Sequence, residues 1–332
     1  MKSTYLVFAA SVGLFLTLGS AALCAPSDIA WTDNVELNPV IASPGFGDNR
    51  AYYTHVLYDE NAGIWRAWFD ASSGFDVGYA ESTDQEGTEF TNYALTTGFL
   101  SGKQSKAFVV QTGPQSFRMW YMSDDRQNGY NVSSAVSSDG INWTEDDFIF
   151  GIGDPNPLQF GPTERIAVVM LEDDSFVAYV RAEEPDQDPN WVEGTKRLYR
   201  YISQDGVNWT WTNDTGVSGI EGMENLEFSS VVKHPDLENT WYAWGSHANS
   251  SEPIYSFVST DDGMTFELDE APVANVGEIG TQPYNAERNY HASVTYLGDG
   301  NWVMFRSVAE PKTTARATGV EQLTSVKDWE LR

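Results

Sequence analysis

One cysteine, four histidines and 19 basic residues are all that 332 positions supply of three chemically useful kinds. The cysteine, Cys24, falls in the N-terminal apolar region, so the rest of the chain has no thiol for a disulfide or a cysteine metal site. The few Lys and Arg stand against 48 Asp and Glu, for a net charge of −29. A surface of that sign repels phosphate backbones and anionic headgroups, which argues against nucleic acid or an anionic membrane as partner. Glycine and proline, 28 and 14, are at ordinary levels, so neither collagen nor a disordered linker is indicated. No window carries a helical hydrophobic period, and past the N-terminus no apolar run is long enough to cross a bilayer.

The N-terminus has the one long apolar run. Lys2 precedes Tyr5 to Leu18, and the small residues Gly19, Ser20, Ala21 and Ala22 follow. Residues 1–25 therefore read as a secretory signal, with cleavage after Ala22 or Ala25; a retained membrane anchor is the alternative. Leu23 stands where a lipoprotein has a small residue before its cysteine, so Cys24 is read as non-lipidated. Residues 26–332 are expected to form a single domain that is secreted, periplasmic or extracellular, monomeric, and off the membrane once the signal is cleaved.

What the chain has in excess is aromatic: 12 Trp, 16 Tyr and 17 Phe. That is too many for a disordered acidic chain, and it suits strands and surfaces that contact sugars. Several of these aromatics close a repeated phrase of Ser-x-Asp, a glycine, and an aromatic about three residues later. It occurs at Ser82-Thr83-Asp84 with Gly87 and Phe90, at Ser137 to Trp143, at Ser203 to Trp209 and at Ser259 to Phe266. A degenerate copy runs from Ser325 to Trp329, and Trp31-Thr32-Asp33 opens the chain in a similar way. The phrase predicts a hairpin turn, in which Asp accepts backbone N–H bonds, Gly takes positive φ and the aromatic starts the next strand.

Trp31, Phe90, Trp143, Trp209, Phe266 and Trp329 then mark five intervals of about 60 residues. Each interval contains alternating strands, expected over 52–58, 65–69 and 76–80; 107–111, 117–122 and 131–136; 166–171, 176–181 and 198–202; 228–233, 241–245 and 254–258; and 291–297, 302–306 and a weaker one near Ala315. This spacing predicts an all-β, five-bladed β-propeller of four-stranded antiparallel blades, with one terminus supplying an outermost strand to the last blade.

The Ser-x-Asp-Gly-x-x-Trp hairpins, the opening Asn38-Pro39-Val40 and the phrase Trp65-Arg66-Ala67-Trp68-Phe69 carry a resemblance. The chain resembles the five-bladed propeller glycoside hydrolases, the arabinanase, levansucrase and invertase superfamily (families 43 and 32-like). The likeness covers nearly all of the chain after the signal and is more specific for architecture than for chemistry.

The inner strands align with one another independently of any family, with His55 matched to Phe108, Ala167, Ser230 and Ser293. Three residues earlier the ring reads Tyr52, Ser105, Glu164, Glu227 and Tyr290, and two before that it includes Arg50, Lys103 and Arg288. Asp48 lies two further back, and Lys106, Arg165 and His291 flank these positions. Polar and charged groups thus recur where inner strands begin, at one mouth of the central channel, a common ligand site.

A glycosidase needs two carboxyl groups about the scissile bond. The resemblance implies Asp48 as base or nucleophile, Glu164 as the sugar-binding, pKa-tuning carboxylate and Glu227 as general acid, with carbohydrate as the partner. It departs from the family at Gly47-Asp48-Asn49-Arg50 and at Thr163-Glu164-Arg165, and Glu224 competes with Glu227. Substrate-binding candidates are Arg50, Tyr52, Lys106, Arg165, Arg288, Tyr290 and His291. Three alternatives stand beside hydrolysis: carbohydrate binding without catalysis, ion pairs that only plug the channel, and a lyase- or sialidase-like enzyme whose cations receive an anionic sugar. No cofactor is called for; a channel Ca2+ is compatible with the sequence but has no ligand motif.

Overall fold

The computed structural model describes residues 26, 29, 31–33, 38, 40–41, 51–71, 76–99, 104–125, 129–150, 163–183, 196–212, 216–218, 226–247, 253–269, 288–309 and 318–325. Residues 1–25, expected to be a secretory signal, and Ala315 and Trp329 lie outside the described residues. Among the described residues there is no α-helix. The chain enters as β1 (Trp31–Asp33) and then builds β2 (Tyr52–Asp59), β3 (Ile64–Asp70), β4 (Val77–Ser82) and β5 (Thr91–Leu95). There follow β6 (Gln104–Gly113), β7 (Ser116–Asp125), β8 (Gly129–Ser137) and β9 (Trp143–Phe150), then β10 (Thr163–Met170), β11 (Phe176–Glu183), β12 (Lys196–Ser203) and β13 (Trp209–Trp211). The last two groups are β14 (Gly216–Ser218), β15 (Leu226–Lys233), β16 (Trp241–His247), β17 (Tyr255–Ser259) and β18 (Thr265–Leu268), and β19 (Arg288–Gly298), β20 (Asn301–Ala309) and β21 (Thr318–Ser325).

The architecture is an all-β propeller. Four sheets are four-stranded antiparallel blades: β2-β3-β4-β5, β6-β7-β8-β9, β10-β11-β12-β13 and β19-β20-β21-β1. The remaining sheet departs from the expected form by having five strands, because β14 lies parallel to β18 and covers its outer edge. The N-terminus closes the last blade: Trp31 pairs with Ser325 and Asp33 with Leu323. Its third strand is β21, over Thr318–Ser325.

The second strand of every sheet explains why the blades pack. Each carries two aromatics three residues apart: Trp65 and Trp68, Phe117 and Trp120, Phe176 and Tyr179, Trp241 and Trp244, Trp302 and Phe305. Side chains alternate along a strand, so a spacing of three sends the two rings to opposite faces. Each blade thereby offers one ring to each neighbour. Trp68 meets Phe117, Trp120 meets Phe176, Tyr179 meets Trp241, Trp244 meets Trp302, and Phe305 returns to Trp65, with centroids 5.2 to 6.4 Å apart. Such pairs add about 0.5–1.5 kcal/mol each beyond their buried area.

The turns lock the same interfaces. In the second sheet the Asp139 carboxylate accepts the N–H groups of Ile141 and Asn142, while Gly140 adopts φ +79°. These bonds, with those from Ser137 and the Asn142 amide, hold the Asp139 carboxyl down at about 2 against the opposing effect of burial. The Gly140 carbonyl then accepts the indole N–H of Trp143 and that of Trp68 in the preceding sheet. Gly206 does the same for Trp209 and Trp120, and Gly263 accepts the Tyr179 hydroxyl. One four-residue signal thus both reverses the chain and staples two blades.

Candidate functional site

The inner strands β2, β6, β10, β15 and β19 contact one another in chain order, and β19 returns to β2. The column His55, Phe108, Ala167, Ser230, Ser293 sits opposite Trp68, Trp120, Tyr179, Trp244 and Phe305, the second aromatic of each pair. A buried valine follows each member: Val56, Val109, Val168, Val231 and Val294.

Just before this column every inner strand carries a bulge: between Tyr52 and His55, Ser105 and Phe108, Thr163 and Arg165, Phe228 and Ser230, and Tyr290 and Ala292. A bulge bends a strand and re-aims its side chains. At three of them a non-glycine residue is left-handed: Tyr53 at φ 47°, Lys106 at 53° and His291 at 62°. That backbone costs about 1–2 kcal/mol per residue.

The left-handed residues meet at one mouth. The Lys106 ammonium lies 4.8 Å from the Tyr53 ring centre and the Arg165 guanidinium 5.1 Å from it. The His291 ring stands edge-on to Tyr53 at 5.9 Å, and Tyr52 is 6.2 Å away, tilted. Arg165 donates to Glu227 Oε1 at 3.0 Å, and Arg181 Nη1 stands 3.7 Å from Oε2. All three charged side chains are at most 3% exposed. Asp70, also buried, accepts the Ser105 hydroxyl at 2.5 Å and the Lys106 N–H at 2.8 Å. Burial pushes its carboxyl up to about 6, opposed by the Ser105 and Lys106 bonds and by the charges of Lys106 and Arg165. His55 donates its Nε2–H to the Val109 carbonyl at 2.8 Å; burial, with the Arg165 charge, lowers its pKa to about 4 although that bond opposes the shift.

Of the residues predicted from sequence, Tyr52, Lys106, Arg165, Glu227 and His291 are brought to this mouth. Glu164, Arg288 and Tyr290 have their backbones on β10 and β19 at the same end. Asp48, Arg50 and Lys103 lie outside the described residues. The gapless alignment needs one correction. In β10 the bulge comes earlier, so Arg165, opposite Arg181, takes the ladder position that Glu227 holds opposite Ser246, and Glu164 becomes the unpaired residue.

Tyr53, Asp70 and Arg181 were not foreseen. For two of them the signal was present. Five residues after the first aromatic of each second strand stand Asp70, Met122, Arg181, Ser246 and Ser307, and two of these five are charged. Among the described residues no cluster of three or more His, Cys, Asp or Glu could hold a metal ion.

No protein-family model and no curated sequence matches the chain. Solved structures match its fold. The catalytic domain of a family-62 α-L-arabinofuranosidase from Coprinopsis cinerea superposes with TM-score 0.61 at 14% identity, over 90% of this chain and 97% of that one. An α-L-arabinofuranosidase from Lactobacillus brevis gives 0.60 at 11%, over 90% and 94%. A thermostable family-43 glycoside hydrolase gives 0.57 at 13%, over 82% and 89%. The chain shares its fold with these glycoside hydrolases, the propeller that the resemblance implies.

Proposed function

We propose that the five sheets are the blades of one five-bladed propeller, and that its strand-start mouth binds a poly- or oligosaccharide and hydrolyses a glycosidic bond. The observation that carries this reading is the coincidence at one mouth of the buried Glu227 carboxylate with three strained bulges, at Tyr53, Lys106 and His291. Buried ion pairs add little to stability compared with an apolar core, and strained backbone concentrates where a ligand is served. In this reading Glu227 is the general acid, Asp48 the base or nucleophile, and Glu164 the carboxylate that binds sugar and tunes the pair. Arg50, Arg288, Tyr52 and Tyr290 complete the sugar contacts. The chain acts as an exported monomer after loss of residues 1–25.

A second reading, sugar binding without hydrolysis, is favoured by one observation: both Arg165 and Arg181 are directed at Glu227, an arrangement suited to holding a fixed charge. The test is product analysis of the chain from Pro26 onward with neutral and anionic glycans, following new reducing ends and the absorbance of unsaturated uronates. Reducing ends that vanish in Glu227→Gln support hydrolysis with the acid on β15. Unsaturated products insensitive to that change would move the chemistry to the Tyr, His and Arg groups. Binding of a glycan without any product favours the second reading.

A further inference from the structure

We propose that Asp70 is a positioning residue of this mouth: its buried carboxyl fixes the bulge that carries Lys106 and, through it, the stack of Lys106, Tyr53 and Arg165 that leads to Glu227. The consequence for catalysis rests on the hydrolase reading; the positioning itself does not.

Asp70 is the last residue of β3, paired with Tyr52. Its bonds to Ser105 and Lys106 both leave its own sheet. Oδ2 accepts the hydroxyl of Ser105 and Oδ1 the N–H of Lys106, consecutive residues on β6. A bulge leaves an N–H without its ladder acceptor, and a buried donor needs a partner. Asp70 supplies one across the blade boundary, at the residue held at φ 53°. Packing does not explain a carboxyl here, since the same place in the other sheets is Met122, Arg181, Ser246 and Ser307. Downstream of the bulge, Lys106 and Arg165 both lie over Tyr53, and Arg165 bonds Glu227. Five blades contribute to this mouth, and Asp70 fixes the arrangement between the first and second.

The charged groups that act on Asp70 are Lys106 from β6 and Arg165 from β10, and Tyr52 on β2 is its cross-strand partner. Burial pushes its carboxyl up to about 6, against the Ser105 and Lys106 bonds, so protonation falls in mild acid. A protonated carboxyl has one oxygen turned donor and no longer offers two equal acceptors. The Lys106 bulge then loosens.

The test reads Lys106 directly. The folded chain is labelled with acetic anhydride, and modification of Lys106 is measured by peptide mass spectrometry relative to Lys233, a half-exposed lysine on β15. In Asp70→Asn, which keeps the shape but lacks the second acceptor, the Lys106/Lys233 ratio rises several-fold at pH 7.5. In the wild type the same ratio rises between pH 7.5 and 5.5, and the variant shows no such step. An unchanged ratio in folded Asp70→Asn, or a flat wild-type profile, overturns the proposal. Should Asp70→Asn fail to fold, Ser105→Ala removes the Oδ2 bond alone and gives a smaller rise; no rise there overturns it equally. If the wild type cleaves a glycan, Asp70→Asn lowers kcat/KM several-fold and removes an acid limb near pH 6. If the wild type cleaves nothing, the hydrolase reading falls while the labelling ratio still decides the role of Asp70.

Discussion

From β15 through β19 to β2, the inner strands are joined by hydroxyl groups; from β2 through β6 and β10 back to β15, they are joined by charge and aromatic packing. On the first arc Ser230 accepts the N–H of Val294 and donates to its carbonyl, and Ser293 does the same for Val56. Ser307 accepts the N–H of Thr54, and Ser229 that of Ala292. On the second arc the same column holds Phe108 and Ala167, which cannot make such bonds, and the mouth carries Asp70, Lys106, Arg165, Arg181 and Glu227. His55 stands at the junction and uses its ring to reach Val109 as the serines reach their valines. The difference teaches a division of labour. Neutral rungs close one side of the ring and are indifferent to pH and salt, while the charged side leaves its side chains for the mouth and inherits their sensitivity.

The sharpest way to break this comparison is at the charged arc. Arg165→Met removes the 3.0 Å partner of a carboxylate that is 3% exposed. Breaking a buried pair on one side costs about 3–5 kcal/mol where the remaining charge is left bare, and Arg181, 3.7 Å from the other Glu227 oxygen, brings the expected loss to the lower end of that range. Urea unfolding should show that loss, whereas a cost below about 1 kcal/mol would mean that water reaches Glu227 and that the arcs differ little.

Next in size is a pH effect at the junction. The His55 imidazole stays neutral in the folded protein down to about 4, while the unfolded chain takes up its proton near the ordinary 6.5. The unfolded state therefore binds more protons between these values, and stability falls as pH drops through this window, by up to about 3 kcal/mol. Asp70 works in the opposite sense. Its folded pKa of about 6 lies above the ordinary 3.8, so its contribution grows as pH falls from 6 towards 3.8. The two offset each other in the wild type, and the His55 effect appears as a difference: the advantage of wild type over His55→Gln shrinks between pH 7 and pH 4. A constant difference across that range would show that His55 is not the neutral, buried ring described here.

The serine arc should yield a smaller and pH-independent loss. Ser293→Ala leaves the N–H and carbonyl of Val56 without their hydroxyl, at a cost of about 1–3 kcal/mol. The same unfolding midpoint at pH 5 and pH 8, relative to wild type, would confirm that this arc is neutral.

Much of the fold could be read before the structure, and the reason is local. Asp, Gly and an aromatic at fixed offsets determine a turn by themselves, so the hairpins at Gly140, Gly206 and Gly263 were legible. The inner-strand column was legible too, because each member is followed by valine. The bulges were not. Tyr53 and Lys106 adopt positive φ without being Gly, Asn, Asp or His, and nothing in their side chains announces that backbone; His291 is of a type only enriched there. The early bulge in β10, which puts Arg165 rather than Glu164 on the ladder, shifts the alignment by one and has no signature in the residues around it. Glu227 was found because it heads a strand; its partner Arg181 and the buried Asp70 end second strands, where packing rather than chemistry was being read. The three-residue strand β14 has no pattern long enough to detect.

The smallest effect gives the finest discrimination. Ala167 is fully buried, occupies the column position of Ser230 and Ser293, and precedes Val168 as they precede Val231 and Val294. Its neighbour across the ring is β15, where the equivalent backbone belongs to Val231. If the arcs differ only in their side chains, Ala167→Ser adds a rung to Val231 and stabilises the fold by up to about 1 kcal/mol, the net value of one hydrogen bond. If instead the charged arc holds β10 and β15 further apart to seat Arg165 and Glu227, the new hydroxyl is buried without a partner and costs about 1–3 kcal/mol. We expect the gain, because β10 and β15 contact each other as extensively as β19 and β2 do. A loss would place the difference between the arcs in the backbone, and would make the width of the charged arc itself part of the site.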